Sequence, residues 1–181
     1  MSHLDTSLFL WINASSASPA WLIALARFAS QELAQWLVAG TVGAFMVGDA
    51  QLRRRLCQIA LAVALAWIGA RLIQHVMPMP RPFALGLGIP WLSHADSASF
   101  PSTHASVAFA FAGAMVIRTR RRLLVTGALL LAALISWSRI SLGLHFPSDV
   151  VCGALLGVAC AWLVERARIA TGRVSASIRT A

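Results

Sequence analysis

Three polar side chains stand at fixed spacing where one apolar run ends and the next begins. Arg139, His145 and Asp149 all lie within residues 138–149. The planar, permanently charged guanidinium of Arg139 can direct two N–H groups at phosphate oxygens. Phe146-Pro147 is a typical helix start, and a helix that begins there places His145 and Asp149 on one face. The carboxylate can then hold one imidazole nitrogen, which leaves the other nitrogen to act as a base or a nucleophile.

Two further polar clusters precede this stretch. Arg81 follows an apolar run, with Gln74 seven residues before it. Residues 101–104, Pro-Ser-Thr-His, open another apolar run, and we expect Ser99 to cap the helix that begins there. The N–H groups and positive dipole end of a helix start form a favourable seat for a phosphate. Two arginines, a helix start and two histidines, one backed by an aspartate, supply what phosphoryl transfer needs without a metal ion.

The composition places these clusters in a membrane protein. Hydrophobic residues make up 59% of the 181 positions, charged residues make up 12%, and the mean hydropathy is +0.75. Several runs reach the roughly 18 apolar residues that can cross a bilayer. The net charge of +9 comes from arginines grouped between these runs. That placement indicates membrane topology and contact with anionic lipids rather than binding to nucleic acid.

The apolar runs predict an all-α integral membrane bundle of about five transmembrane helices. We expect them at about residues 20–48, 56–76, 101–117, 123–137 and 147–164. A short apolar patch before residue 13 predicts an additional amphipathic helix that lies in the interface. Residues 1–169 then form a single membrane domain, and residues 170–181 form a basic C-terminal tail.

Some residues within the predicted spans leave alternatives open. Arg27 and Glu32 lie in the first half of the first span, where they either pair with each other or border the functional site. Gly153 and Gly157 in the last span form a pair of small residues that allows close helix packing. We expect this packing to be within the chain, although a homodimer is also compatible with it.

Arginine clusters also predict how the chain is oriented. Residues 53–55, 118–122 and 166–173 carry these clusters in alternate connections, which assigns those connections to the cytoplasm. Five spans then place the C-terminus in the cytoplasm and the N-terminus outside. The same alternation brings the three polar clusters together on the outer face of the bundle.

In order and spacing, the three clusters resemble the motifs of the type-2 phosphatidic acid phosphatase superfamily of membrane lipid phosphatases. The third motif, S-R-x5-H-x3-D, is matched in full. The second, usually Pro-Ser-Gly-His, has Thr103 in place of glycine. The first, a lysine followed by six residues and Arg-Pro, keeps Arg81 but has Gln74 where the lysine belongs. Arg71 and His75, each about one turn away or less, are candidates to supply the missing charge.

The resemblance implies a mechanism for this chain. His145 attacks phosphorus and forms a phosphohistidine, and Asp149 holds the reactive tautomer. His104 protonates the leaving oxygen and then activates the hydrolytic water. The implied phosphate-binding residues are Arg81, Arg139, Ser102 and Thr103, together with backbone N–H groups at the start of the third span. No metal ion or other cofactor is implied.

The run at residues 94–102, the absent lysine and the short chain together resemble the bacitracin-resistance type of undecaprenyl-diphosphatase. The resemblance implies removal of the terminal phosphate of undecaprenyl diphosphate on the outer face of a bacterial inner membrane, which recycles the carrier for peptidoglycan synthesis. Alternative substrates are phosphatidylglycerophosphate, phosphatidate and lipid A, and a phosphotransferase can use the same intermediate. A channel or carrier is a further alternative, but polar groups at one end of the bundle disfavour a transport path. The expected partners are a lipid phosphate or diphosphate and membrane lipids.

Overall fold

The chain folds as a helical bundle. The computed structural model describes residues 2–93 and 97–179, with side chains described as far as residue 171. The described residues form six α-helices, one short 3-10 helix and no strand. The α-helices are α1 His3–Ile12, α2 Ala20–Val47, α3 Ala50–Val76, α4 Thr103–Arg118, α5 Arg122–Ser141 and α6 Pro147–Arg179, and the 3-10 helix is Pro82–Leu85. The predicted all-α architecture is confirmed.

Apolar surface marks the bundle as a multi-pass membrane protein. In the described part of the chain, Ala50–Val76, Arg122–Ser141 and Pro147–Thr171 are long and apolar enough to cross a bilayer, and Thr103–Arg118 is a shorter apolar helix. α2 has the length of a span, but its polar residues lower its hydropathy. Large apolar side chains on these helices face outward, as Leu130 and Leu155 do with 64% and 65% exposure. An apolar surface of this kind is expected to face the lipid of a bilayer.

α4 is the central helix of the bundle. It packs against α3, α5 and α6, and its buried face consists largely of alanine: Ala105, Ala108, Ala110, Ala112 and Ala114. A Cβ atom at Gly153 of α6 would lie 2.6 Å from the Ser102 carbonyl oxygen, and a Cβ atom at Gly157 would meet the Ser106 carbonyl. A larger residue at either glycine would push α6 away from α4. The two glycines therefore serve close packing within the chain, as predicted.

The start of α3 and the end of α5 differ from the prediction. α3 begins at Ala50, about six residues early, because Asp49 Oδ1 accepts the N–H of Leu52 at 2.7 Å and caps the helix. α5 continues to Ser141, about four residues past its predicted end, so Arg139 lies on its last turn rather than in the connection. α5 ends where Gly143 adopts φ +78°, which lets the chain reverse and return the Leu144 N–H to the Arg139 carbonyl.

The N-terminal helix α1 packs where α5 ends and α6 begins. Its Phe9 is fully buried against Phe146, with ring centroids 5.3 Å apart. Asp5 accepts hydrogen bonds from the Ser148 N–H at 3.0 Å and the Ser148 hydroxyl at 2.6 Å, and thereby caps α6. Trp11 remains 84% exposed, as expected of a helix at a membrane surface.

The remaining predictions on chain organisation have separate outcomes. Arg27 donates to the Trp91 carbonyl at 2.9 Å, and no ion pair joins it to Glu32 within the described residues. α6 continues through the segment predicted as a tail, as far as Arg179. The division of the chain after residue 169 stays a prediction.

Candidate active site

The carboxylate of Asp149 organises the connection between α5 and α6. Asp149 lies in the first turn of α6, and its Oδ2 accepts the Phe146 N–H at 2.9 Å. The same oxygen accepts the Ser99 hydroxyl at 2.5 Å and lies 3.4 Å from His145 Nδ1. His145 and Asp149 are each about 1% exposed. The expected contact between this histidine and this aspartate is therefore present, with Ser99 as a third member.

Arg81 determines which nitrogen of His145 carries the proton. Its Nη1 lies 3.2 Å from His145 Nε2. Because a guanidinium only donates, Nε2 must present its lone pair, and the proton belongs on Nδ1, which faces Asp149. Burial lowers the pKa of His145 below its usual value, and the charges of Arg139 and Arg81 lower it further, against the hydrogen bond to Asp149. At neutral pH the ring is therefore uncharged, and the lone pair of Nε2, the nitrogen suited to act as a nucleophile, accepts from Arg81.

Arg81 also joins segments that are distant in sequence. It directly precedes the 3-10 helix and is 3% exposed. Its Nε donates to the Ser97 carbonyl at 2.9 Å, and its Nη1 donates to the Leu144 carbonyl at 2.9 Å. These bonds hold the segment before α4 against the connection that carries His145. Part of the guanidinium is therefore structural, and the same group reaches the reactive nitrogen.

Arg139 reaches the site from the last turn of α5. It is 3% exposed, and its Nη1 donates to the Ser30 hydroxyl of α2. Its Nε and Nη2 and the Ser102 hydroxyl are buried without a hydrogen-bond partner among the described residues. A buried polar group left unpaired costs about 1–3 kcal/mol, so an anion that accepts these protons would be strongly favoured. Arg139 is also near enough to act on the charge of His145.

The two departures from the family motifs contact each other. Gln74, which occupies the lysine position, donates from Nε2 to the Thr103 hydroxyl at 3.0 Å and to the Pro101 carbonyl at 2.9 Å. Arg71 Nη1 donates to Gln74 Oε1 at 3.3 Å. Gln74 therefore holds the start of α4. The charged side chain of Arg71 is linked to this helix start through Gln74. His75 is exposed on the last turn of α3 and takes no part in these contacts.

An apolar groove begins beside His104. It has a volume of about 490 Å³ and lies between α2, α3 and α4, with Ile135 of α5 also in its lining. Thr103 and His104 line it near the start of α4, and Phe111 lines it eight residues after Thr103. At 1.5 Å per residue this distance is about 12 Å, close to half of a hydrocarbon core about 30 Å thick.

The structure brings five predicted site residues together around one buried point, Arg81, Ser102, Arg139, His145 and Asp149, whereas Thr103 and His104 line the groove. Ser102 joins the group because its N–H donates to the Asp149 carbonyl at 2.9 Å. The prediction that Ser99 caps α4 is wrong, because Ser102 occupies the cap position and Ser99 binds Asp149 instead. The segment before α4 turns the Ser99 hydroxyl inward, and no local sequence pattern indicates this. His94, the first residue of the run at residues 94–102, is outside the described residues.

Comparisons with known proteins agree with these motifs. A sequence model described as the PAP2 superfamily matches residues 55–172. Over 160 residues the chain is 37% identical to YbjG of Escherichia coli (strain K12), provisionally named an undecaprenyl-diphosphatase, and the match covers 87% of this chain and 79% of YbjG. It is 26% identical over 174 residues to the lipid A 4'-phosphatase of Bacteroides thetaiotaomicron, covering 90% and 76% of the two chains. The crystal structure of Aquifex aeolicus LpxE matches with a TM-score of 0.75 at 26% identity, covering 91% and 96%.

Proposed function

Because the chain belongs to the PAP2 superfamily of membrane phosphatases, we propose that it removes the terminal phosphate of undecaprenyl diphosphate. The products are undecaprenyl phosphate and inorganic phosphate. The observation that carries the proposal is the buried group around His145 Nε2, where the unpaired N–H groups of Arg139 and the hydroxyl of Ser102 are suited to phosphate oxygens.

The proposed reaction has two displacements. His145 Nε2 attacks the terminal phosphorus, a P–N bond forms, and the bond from phosphorus to the bridging oxygen breaks as His104 gives that oxygen a proton. His104 then removes a proton from water, the water oxygen forms a bond to phosphorus, and the P–N bond breaks, which releases phosphate and restores the neutral ring of His145. Asp149 stabilises the positive ring during the intermediate. Arg81 and Arg139 neutralise the charge that develops on the phosphate oxygens, so no metal ion takes part.

The groove supports a substrate with a long apolar chain. It starts at His104 and Thr103 and continues between α2 and α3, so a chain lying in it would bring its headgroup to His104. The name of YbjG favours undecaprenyl diphosphate as the headgroup-bearing lipid. The similarity to a lipid A 4'-phosphatase supports the alternative of lipid A, and phosphatidylglycerophosphate and phosphatidate remain candidates from the sequence.

The proposed orientation places the site at the outer face of a bacterial inner membrane, with the C-terminus in the cytoplasm. The arginines at the start of α3 and the end of α4 lie at the end of the bundle opposite to His145. Eighteen residues of α6 separate Pro147 from Glu165, and at 1.5 Å per residue this is about 27 Å, close to one hydrocarbon core. Positive charge at the far end supports a cytoplasmic assignment for that end.

A panel of purified lipids tests the proposed substrate. We expect the wild-type protein to release phosphate from undecaprenyl diphosphate with a higher kcat/KM than from phosphatidylglycerophosphate, phosphatidate or lipid A. The rate should be unchanged in EDTA, because the proposed site uses arginines in place of a metal ion. Preference for another lipid in the panel would transfer the assignment to that lipid, and strict dependence on Mg²⁺ would contradict the metal-free mechanism.

Filling the groove should harm long-chain substrates selectively. Ala60 is an exposed residue of α3 that lines the groove. Ala60→Trp should raise KM for undecaprenyl diphosphate about tenfold, because the indole ring would take the place of part of the lipid chain and weaken its binding by about 1.4 kcal/mol. Kinetics on farnesyl diphosphate, whose shorter chain would occupy less of the groove, should change less. Leu155→Trp, at an exposed position of α6 outside the groove, is the matched control. Equal KM values for Ala60→Trp and Leu155→Trp would exclude the groove as the chain site.

A further inference from the structure

A second cavity lies at the opposite end of the bundle from His145. Its volume is about 610 Å³, and it is lined by the start of α3, the end of α4 and the C-terminal half of α6. Arg54 and Arg55 line it from α3, Arg118 from α4, and Glu165 and Arg168 from α6. The proposed phosphatase site uses none of these residues.

The cavity carries a surplus of positive charge. Arg118 pairs with Glu165 at 2.8 Å, with side chains 11% and 15% exposed, and also bonds to Gln58 of α3. Arg168 binds the same carboxylate at 2.5 Å. Arg54 and Arg55 are exposed and form no ion pair with the residues that the structure describes. One carboxylate therefore faces four guanidinium groups, and the cavity has a charge surplus that an anion would neutralise.

The position of the cavity favours a lipid headgroup as that anion. Glu165 lies about 27 Å along α6 from Pro147, so the cavity is level with the far membrane surface. Arg166 stacks over the half-exposed Trp162 ring at 4.9 Å, which is an arrangement typical of the headgroup layer. Ile117, 41% exposed, adds an apolar side chain to the lining, against which the upper part of an acyl chain can lie.

We propose that this cavity binds the phosphate of an anionic phospholipid from the leaflet opposite to the catalytic site. Basic pockets between membrane helices on the cytoplasmic side are suited to phosphate headgroups. The guanidiniums of Arg54 and Arg55 would receive the phosphate oxygens, and the Arg118–Glu165 pair would form the floor. The bound lipid would hold together α3, α4 and α6, the three helices that supply the lining.

Native mass spectrometry of the purified full-length chain tests the proposal. Phosphatidylglycerol and phosphatidylcholine with identical acyl chains are the probes, and phosphatidylglycerol should bind more tightly. The double variant Arg54→Gln/Arg55→Gln should bind phosphatidylglycerol about tenfold more weakly, which corresponds to about 1.4 kcal/mol. The matched control Arg120→Gln/Arg121→Gln removes the same charge from exposed residues that do not line the cavity.

The outcomes distinguish a lipid site in the cavity from a general attraction of the basic surface for anionic lipids. Weaker binding in the cavity variant alone supports the proposal. Equal weakening in both double variants indicates general attraction to a basic surface, and unchanged binding in both shows that the cavity holds no anionic lipid. Displacement of the lipid by inorganic phosphate would assign the cavity to a free anion. If the double variant does not fold, Arg54→Gln compared with Arg120→Gln gives the same test. The experiment measures lipid binding, so its result does not depend on the proposed phosphatase activity.

Discussion

Replacing His145 by alanine is expected to lower phosphate release from undecaprenyl diphosphate by about 10⁴-fold or more, because the variant has no atom to form the bond to phosphorus. The buried ring is uncharged at neutral pH and presents Nε2 toward Arg81. The ring of His145 combines a carboxylate near Nδ1 with a guanidinium at Nε2. Initial rates of wild type and variant, measured on the same lipid, check the expected loss.

A labelling experiment separates the loss of a nucleophile from a loss of folding. Substrate labelled in its terminal phosphate should transfer the label to the wild-type chain in a rapid quench. His104→Asn should gain the label more slowly and also lose it more slowly, because both proton transfers are impaired, and His145→Ala should carry none. His75→Ala, which changes an exposed histidine of α3, is the control and should behave as wild type. Substantial turnover by a well-folded His145→Ala protein would reject His145 as the nucleophile.

Exchanging Arg139 for lysine is expected to reduce kcat/KM by about 10²-fold. Lysine preserves the charge, but it lacks the Nε–H and Nη2–H groups, which in Arg139 are buried without a protein partner. If phosphate oxygens accept these protons, their loss should weaken both the transition state and inhibition by vanadate. Steady-state kinetics and the vanadate inhibition constant measure the two effects on the same preparations.

Ser30→Ala is the control for Arg139. It removes the hydroxyl that accepts from Arg139 Nη1 and leaves the guanidinium intact. We expect a reduction of less than about tenfold, since an ordinary hydrogen bond to a charged group contributes about 1.5–3 kcal/mol and is partly replaced. A loss in Ser30→Ala as large as in Arg139→Lys, with vanadate affinity unchanged in both, would show that Arg139 has a structural role only.

The contact between His145 and Asp149 in the third motif was predictable because it is local. The spacing of His145 and Asp149 and the Phe-Pro helix start determine that a carboxylate in the first turn of α6 can reach the preceding histidine. The all-α membrane architecture was equally predictable, since the length and apolarity of the runs follow from the thickness of the bilayer. The helix ends were displaced at the Asp49 cap and at the reversal at Gly143, and α6 continues past its predicted end.

Contacts between distant segments required the folded chain. Ser99 binds Asp149 across 50 residues, Gln74 binds Thr103 across 29, and Asp5 caps α6 across 143. Serine and glutamine are common near helix ends, so their sequence neighbours do not distinguish a site residue from an ordinary cap.

The amino-acid sequence by itself determined the apolar helices, the order of the three polar clusters and the pairing of His145 with Asp149. The tertiary structure alone decided that Nε2 of His145 faces Arg81, that Gln74 supports α4, and that an apolar groove opens beside His104. The physical reason is that helix periodicity relates residues within about one or two turns, whereas the close approach of helices depends on how small side chains such as Gly153 and Gly157 let them pack.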